Sequence, residues 1–172
     1  DTGVDPSHPA LYGRGLIRET VRGPGLQASS TAHGTALVTL LLGDGQRPGL
    51  LPAGDVVAVD AFHRRGRGDA ADTFDLVSAV DLLVARGARI VNLSFAGPAN
   101  AALDRAGRQA RDRGVVIIAA SGNEGPAAPP LYPAAYPWAV AVTALDDARQ
   151  PYPRASRGPH LALSAPGVSL PL

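Results

Sequence analysis

The sequence predicts an α/β fold, a doubly wound parallel sheet with helices on both faces. The predicted strands at 56–59, 90–94 and 115–119 are short, mainly apolar runs, which is typical of strands buried on both faces. The segments at 73–85 and 100–113 lie between these strands and are predicted to be helices. Strands that alternate with helices along a chain favour a parallel sheet.

The first half of the chain contributes two helices and one strand to this prediction. Residues 36–42 are apolar apart from Thr39 and end at Gly43, a common helix stop. The run at 56–59 is short and rich in valine, which favours a buried strand. Residues 73–85 place apolar side chains at helical spacing and end at Arg86-Gly87, so they predict an amphipathic helix with a glycine cap.

The second half continues the alternation. The strand at 90–94 is followed by the helix at 100–113 and the strand at 115–119. A further strand is predicted at 139–142 and a weaker one at 161–163.

Composition limits the possible classes of protein. A chain of 172 residues can bury a substantial core, so we expect a single domain. The 16 basic residues, all arginine, nearly balance 15 acidic ones, which argues against a nucleic-acid-binding surface. The absence of cysteine excludes disulfides and thiolate metal sites, and no apolar stretch is long enough for a membrane span.

The chemistry-bearing residues are expected at the carboxyl ends of strands, where open parallel sheets bind ligands. The segments 94–97 and 121–123 directly follow predicted strands, and Asp1 resembles the last part of another. His33 stands at the head of a helix that would face them. We therefore expect a carboxylate, an imidazole and an amide to gather at one edge of the sheet.

Five short motifs span the chain: Asp-Thr-Gly-Val at 1–4, His-Gly-Thr at 33–35, Ser-Gly-Asn-Glu-Gly at 121–125, Tyr-Pro-Ala at 132–134 and Ala-Pro-Gly-Val at 165–168. In type and order they resemble the motifs of subtilisin-like serine proteases, the subtilases. The resemblance implies a subtilisin-like fold, a peptide or protein substrate, no cofactor, and a secreted or extracytoplasmic protein. The residues themselves predict no metal site.

The resemblance also implies a role for each site residue. Asp1 would orient the imidazole, His33 would be the general base and acid, and Asn123 would be the oxyanion-hole amide. The remaining residues would contact the substrate. Ser94, Phe95, Ala96 and Gly97 would pair with its backbone, and Ala120, Ser121 and Gly122 would line the pocket for the residue before the scissile bond.

Serine-protease chemistry needs these residue types. A serine hydroxyl is a poor nucleophile until a positioned imidazole takes its proton, and a buried carboxylate fixes the tautomer of that imidazole. A neutral amide then stabilises the negative charge that develops on the carbonyl oxygen.

The nucleophilic serine is expected outside this chain. In subtilases it lies in a Gly-Thr-Ser-Met-Ala segment beyond the Ala-Pro-Gly-Val motif, whereas this sequence contains no methionine and ends at Leu172, shortly after that motif. Ala36 stands where the family usually has a second histidine. Both ends fall within elements that the fold needs, so we expect 1–172 to be part of a larger catalytic domain, completed by the same polypeptide or a second one. The α-amino group of Asp1, with an ordinary pKa near 8, is expected to compete with His33 for the carboxylate.

Several alternatives stay open. A catalytically inactive domain would still bind extended peptides through main-chain hydrogen bonds. The basic stretch at 63–67 is expected to be a solvated loop, and the Arg-Gly-Asp tripeptide at 67–69 to be accidental. The segment 43–54 has only Asp44 as a hard ligand, so no strong calcium site is expected there, and His8 and His160 show no metal-ligand spacing.

Overall fold

The computed structural model describes residues 1–44 and 48–170. The chain forms two compact units, one comprising residues 1–79 and the other the described residues from 80 onward. Its elements in order are a short 3₁₀ helix (Pro9–Leu11), β1 (Gly15–Thr20), α1 (Ala32–Leu42), β2 (Asp55–Asp60), β3 (His63–Arg65), β4 (Gly68–Ala70), α2 (Thr73–Ala85), β5 (Ile90–Leu93), α3 (Ala101–Asp112), β6 (Val116–Ala120), β7 (Ala139–Leu145) and β8 (Leu161–Pro166).

The first unit is built on a parallel pair of strands. β1 pairs with β2 in register from Gly15 opposite Asp55 to Thr20 opposite Asp60. α1 contributes to a buried apolar cluster that holds this unit together. The cluster comprises Val4, Leu11, Val38 and Leu42, with Leu16, Leu41, Val56 and Ala58 packed against it.

Helix α1 ends at Gly43, as predicted, but not because glycine adopts a left-handed conformation there. The φ angle of Gly43 is −52°, which any residue adopts. A Cβ at this position would instead collide with the main-chain carbonyl of Thr39. Glycine is therefore required because the backbone at residue 43 lies close to the carbonyl of Thr39 in the last turn of α1.

A two-stranded antiparallel hairpin completes the elements of the first unit. β3 pairs with β4, and the turn between them contains Gly66 at φ +62°. The prediction of a solvated loop at 63–67 is wrong for residues 63–65. His63 is buried, and Arg64 pairs with Asp69 at 3.2 Å.

The second unit is a four-stranded parallel sheet in the order β5-β6-β7-β8. Asn100 begins α3 by accepting hydrogen bonds from the N–H groups of Ala102 and Leu103. α3 then passes so close to Trp138 that a Cβ at Gly107 would enter the indole ring. The indole N–H donates to Asp104 at 2.8 Å, so one face of the helix is fixed to the loop before β7.

The predicted α/β class is confirmed, since parallel strands alternate with helices along the chain. The helices α2 and α3 and the strands β2 and β5–β8 all form where the sequence predicts them. The differences are an earlier start of α1, at Ala32, and longer β7 and β8 strands. Strand β1 was not predicted. No helix among the described residues is long and apolar enough to cross a membrane.

Candidate active site

Asp1 lies beside the carboxyl end of β2. Its α-amino group donates to the carbonyl of Val59 at 3.2 Å, and the N–H of Ala61 donates to the carbonyl of Asp1 at 3.2 Å. Because the two bonds go to the residues on either side of Asp60, Asp1 pairs with Asp60 as a residue of a neighbouring parallel strand would. The Asp1 carboxylate is thus placed at a strand end, where α/β proteins carry their functional groups.

Helix α1 packs directly on the segment that follows Asp1. The N–H of Gly34 donates to Thr2 Oγ1 at 3.0 Å, and the N–H of Asp5 donates to Thr35 Oγ1 at 2.8 Å. A Cβ at Gly34 would collide with the main-chain carbonyls of Thr2 and Gly3. The two residues that follow His33 therefore have structural roles. Gly34 allows α1 to approach residues 2 and 3 closely, and Thr35 accepts a hydrogen bond from Asp5.

The result of this packing is a direct hydrogen bond between the acid and the imidazole. Asp1 Oδ1 lies 2.8 Å from His33 Nδ1 and also accepts the N–H of Thr2 at 2.6 Å. Because an ionised carboxylate can only accept, Nδ1 carries the proton and Nε2 is left with its lone pair. The His33 side chain is 55% exposed, so that lone pair is accessible.

The protonation states suit a general base. Partial burial of the ring is the main cause that lowers the pKa of His33 below its ordinary 6.5, and the nearby α-amino group adds to the effect. The imidazole is therefore neutral at neutral pH, as a proton acceptor must be.

The expected competition for the Asp1 carboxylate does not appear among the described contacts. The nitrogen of Asp1 donates to the main-chain carbonyl of Val59 at 3.2 Å, whereas His33 Nδ1 lies 2.8 Å from the carboxylate.

A buried polar network holds the Asp1 loop, and sequence reasoning missed it. Ser29 Oγ accepts the N–H of Gly3 at 2.9 Å and donates to Asp60 Oδ1 at 2.9 Å. Asp60 Oδ2 in turn pairs with Arg22 at 2.7 Å. Asp60 could have been found, because it directly follows a predicted strand; Ser29 carries no comparable signal.

In the second unit, the segment 94–97 follows β5 and is partly paired already. The N–H and the carbonyl of Gly97 exchange hydrogen bonds with Tyr132 at 2.8 and 2.9 Å. Successive residues of an extended segment direct their polar groups to opposite sides. Those of Ala96 consequently face away from Tyr132, and they have no partner in the part of the chain that the structure describes.

The predicted pocket residues 120–122 lie at the end of β6. Ser121 is buried and its N–H donates to the carbonyl of Val142 at 3.0 Å. Gly122 has a φ of +94°, and a Cβ there would lie 3.3 Å from the Cβ of Ala96. The segments 94–97 and 120–122 are therefore adjacent. Ser156, which the sequence did not single out, supports Gly122 from behind by donating its N–H to the Gly122 carbonyl at 3.0 Å.

Asn123 follows this pocket and is exposed. Its side-chain amide makes no hydrogen bond to any other described residue, so its N–H groups are available to a ligand. Asp1 and His33 belong to the first unit, whereas 94–97 and 120–123 belong to the second.

Two other sequence motifs do not form ligand sites among the described residues. Asp44, the single hard ligand in 43–54, pairs with Arg14, while residues 45–47 of that segment lie outside the described part. Asp69 of the Arg-Gly-Asp tripeptide accepts the N–H of Ser30 at 3.1 Å and pairs with Arg64. That carboxylate is therefore engaged within the fold.

Comparison with known proteins gives one consistent result. The Subtilase family model matches residues 1–171. Subtilisin of Bacillus pumilus is 29% identical over 177 residues, which cover 99% of this chain and 63% of that protein. Subtilisin BL of Lederbergia lenta is 32% identical over 174 residues, covering 99% of this chain and 62% of that protein. The chain thus spans less than two thirds of the length of these relatives.

Solved structures of proteases are similar over nearly the whole chain. The prenylagaramide maturation protease PagA superposes with a TM-score of 0.83 and 29% identity, covering 97% of this chain and 60% of that one. The self-cleaved protease domain of PatA gives a TM-score of 0.82 and 30% identity, covering 97% of this chain and 64% of that one.

Proposed function

The chain belongs to the subtilase family, and from that premise we propose that it supplies the acid, the base and the oxyanion amide of a subtilisin-like serine endopeptidase. The observation that carries the proposal is the 2.8 Å hydrogen bond between Asp1 Oδ1 and His33 Nδ1. In this proposal residues 1–172 are part of one catalytic domain, and the nucleophilic serine lies outside them.

The mechanism follows from the tautomer that Asp1 imposes. His33 Nε2 removes the hydroxyl proton of the serine as its oxygen attacks the peptide carbonyl, and the Asp1 carboxylate stabilises the resulting imidazolium. The imidazolium then gives its proton to the leaving amine, which breaks the peptide bond and leaves an acyl-enzyme. Water, deprotonated by the same imidazole, hydrolyses the ester and regenerates the serine.

The oxyanion of each tetrahedral intermediate needs a neutral donor, and we assign that role to Asn123. Its amide is exposed and uncommitted, so it can donate without first breaking an internal bond. Such donors stabilise the transition state more than the ground state, because the charge on the oxygen is greatest there.

Substrate binding is assigned to the cleft between 94–97 and 120–122. Ala96 presents an unpaired N–H and carbonyl, which suits an extended peptide that adds as a strand. Gly122 allows residues 120–122 to approach Ala96 closely, since a Cβ at that position would lie only 3.3 Å from the Cβ of Ala96. We propose peptides or proteins as substrates, in keeping with the maturation proteases named above.

We also propose that the protein acts outside the cytoplasm. One relative, the minor extracellular protease Epr of Bacillus subtilis, is 34% identical over 123 residues, covering 71% of this chain and 19% of that protein.

The test is active-site labelling of the full-length protein encoded by its gene. A fluorophosphonate probe is expected to label one serine, located by peptide mass mapping beyond residue 172. His33→Ala is expected to abolish labelling, whereas His8→Ala, a matched control outside the site, is expected to retain it. Labelling that survives His33→Ala, or that maps to a serine within 1–172, would contradict the proposal. A protein that is never labelled but binds extended peptides would be the inactive alternative.

A further inference from the structure

Three potential metal ligands converge in the first unit, and none of them belongs to the Asp1–His33 pair. His63 begins β3, Asp72 precedes α2, and Asp75 lies in the first turn of that helix. One ligand atom from each side chain lies within 4.8 Å of the ligand atoms of the other two. We propose that these three side chains bind a divalent transition-metal ion, Zn²⁺ being the species to test.

The histidine gives the strongest reason. His63 is 8% exposed, and its Nδ1 is buried without a hydrogen-bond partner among residues 1–44 and 48–170. Buried imidazole nitrogens normally find a partner, so this one requires an explanation. No ion pair joins His63 to Asp72 or Asp75 among the described residues, although their ligand atoms lie so close together.

That spacing fits a cation between the donors. Zinc binds imidazole nitrogen and carboxylate oxygen at about 2.0–2.2 Å, so donors on either side of one ion lie roughly 3–4 Å apart. The ligand atoms of His63, Asp72 and Asp75 need only small adjustments to meet that distance.

Asp75 supplies an independent reason. It is only 3% exposed, and it accepts the main-chain N–H of Gly23 at 3.2 Å. A buried carboxylate without a neighbouring cation is unfavourable, and a divalent ion would neutralise it. A position at the amino end of α2 favours both carboxylates, but it does not account for the buried imidazole beside them.

The donor set selects the class of metal. Imidazole with carboxylates suits zinc and neighbouring transition metals, whereas calcium prefers oxygen ligands alone. Asp72 is exposed, which gives the ion a route from solvent. A bound ion would tie the β3–β4 hairpin to the start of α2. The sequence does not reveal this site, because the three ligands are spaced unlike any common zinc motif.

The experiment is titration of chelator-treated protein with ZnCl₂, followed by calorimetry and by the ring ¹⁵N resonances of the histidines. We expect one Zn²⁺ per chain, a shift of the His63 resonances, and at least a tenfold loss of affinity in Asp72→Asn. Asp72 is exposed, so this variant is expected to fold. Asp81→Asn makes the same charge change on the exposed part of α2 and is expected to bind as the wild type does.

Three outcomes would overturn the assignment. The first is no Zn²⁺ binding to the wild-type protein. The second is equal loss of affinity in Asp72→Asn and Asp81→Asn. The third is a shift of the His33 resonances rather than those of His63, since that would place the ion at the Asp1–His33 pair. The resonance measurement uses the wild-type protein, so it stands even where a variant fails to fold.

Discussion

Replacing Gly34 by alanine tests whether the packing of α1 on residues 1–3 positions Asp1 against His33. The new methyl group would collide with two main-chain carbonyls, those of Thr2 and Gly3, which cannot rotate away as side chains do. Such overpacking costs about 1–3 kcal/mol. Moving the segment also breaks the 3.0 Å bond from Gly34 to Thr2, worth about 1 kcal/mol.

The substitution also has a favourable effect. Alanine is a better helix former than glycine by about 1 kcal/mol, which offsets the lost hydrogen bond. The net expectation is a fall of about 1–3 kcal/mol in the free energy of unfolding. Urea denaturation measures it, with Gly68→Ala as the control. Gly68 has ordinary backbone angles and open space around its Cα, so a change below about 0.5 kcal/mol is expected.

The same variant has a consequence at the site. Displacing residues 1–3 lengthens the hydrogen bond between Asp1 and His33, so the titration of the His33 ring measured by NMR is expected to change. A Gly34→Ala protein that is as stable as the wild type, or more stable, and has an unaltered His33 titration would refute the reasoning. Helix propensity alone would then account for the result.

Three further outcomes are expected. Gly107→Ala should lower the free energy of unfolding by about 1–3 kcal/mol, because the new methyl group would collide with Trp138. Unfolding can be followed by the fluorescence of Trp138, the single tryptophan of the sequence. An unchanged free energy of unfolding would mean that α3 does not pack on the indole. Because burial lowers the pKa of His33, the unfolded chain binds the His33 proton at a higher pH than the folded chain does. The free energy of unfolding should therefore decline below about pH 6.5, and His33→Gln should remove the part of this decline that His33 causes. An unaltered dependence of the free energy of unfolding on pH in the variant would contradict this. Under the proposed function, Asn123→Ala in the full-length protein should reduce kcat by about 10²–10³, the magnitude known for the oxyanion-hole amide of subtilisin, with little change in KM. Equal effects on both would argue against an oxyanion role.

The elements that the sequence predicts well are those whose signals are local. Helix α2 carries its apolar spacing and its stop within one segment. Gly87 adopts a φ of +77°, and the N–H of Ala88 closes back on the carbonyl of Leu83 at 3.0 Å. The N-cap role of Asn100 is similarly contained within its own turn. Neither element needs a distant partner in order to be recognised.

The elements that were missed depend on distant partners. In β1, Ile17 is half exposed and two charged residues follow it, so no strand pattern results, and the strand exists because it pairs with β2. The β3–β4 hairpin resembles a loop because it is rich in arginine. It forms because Arg64 meets Asp69 and because His63 also bridges to Ala28.

The same distinction between local signals and distant partners applies to the candidate active site. Asp1 and His33 were predicted from motifs, and their hydrogen bond agrees with that pairing. The network of Ser29, Asp60 and Arg22 was not predicted, because it requires the chain near residue 29 to fold back on the end of β2. The motifs identify the residues with proposed catalytic roles, whereas the residues that support them are apparent only from the packing.

The pairing of Asp1 with β2 has a consequence for the order of folding. His33 lies in a helix whose internal bonds join residues four apart, but the acid is held by bonds to Val59 and Ala61, some sixty residues away along the chain. Closing so large a loop is slower than forming a helical turn. We therefore expect the imidazole to reach its helical conformation early and the acid–base pair to assemble late, so that recovery of the His33–Asp1 bond reports the completion of folding in this unit.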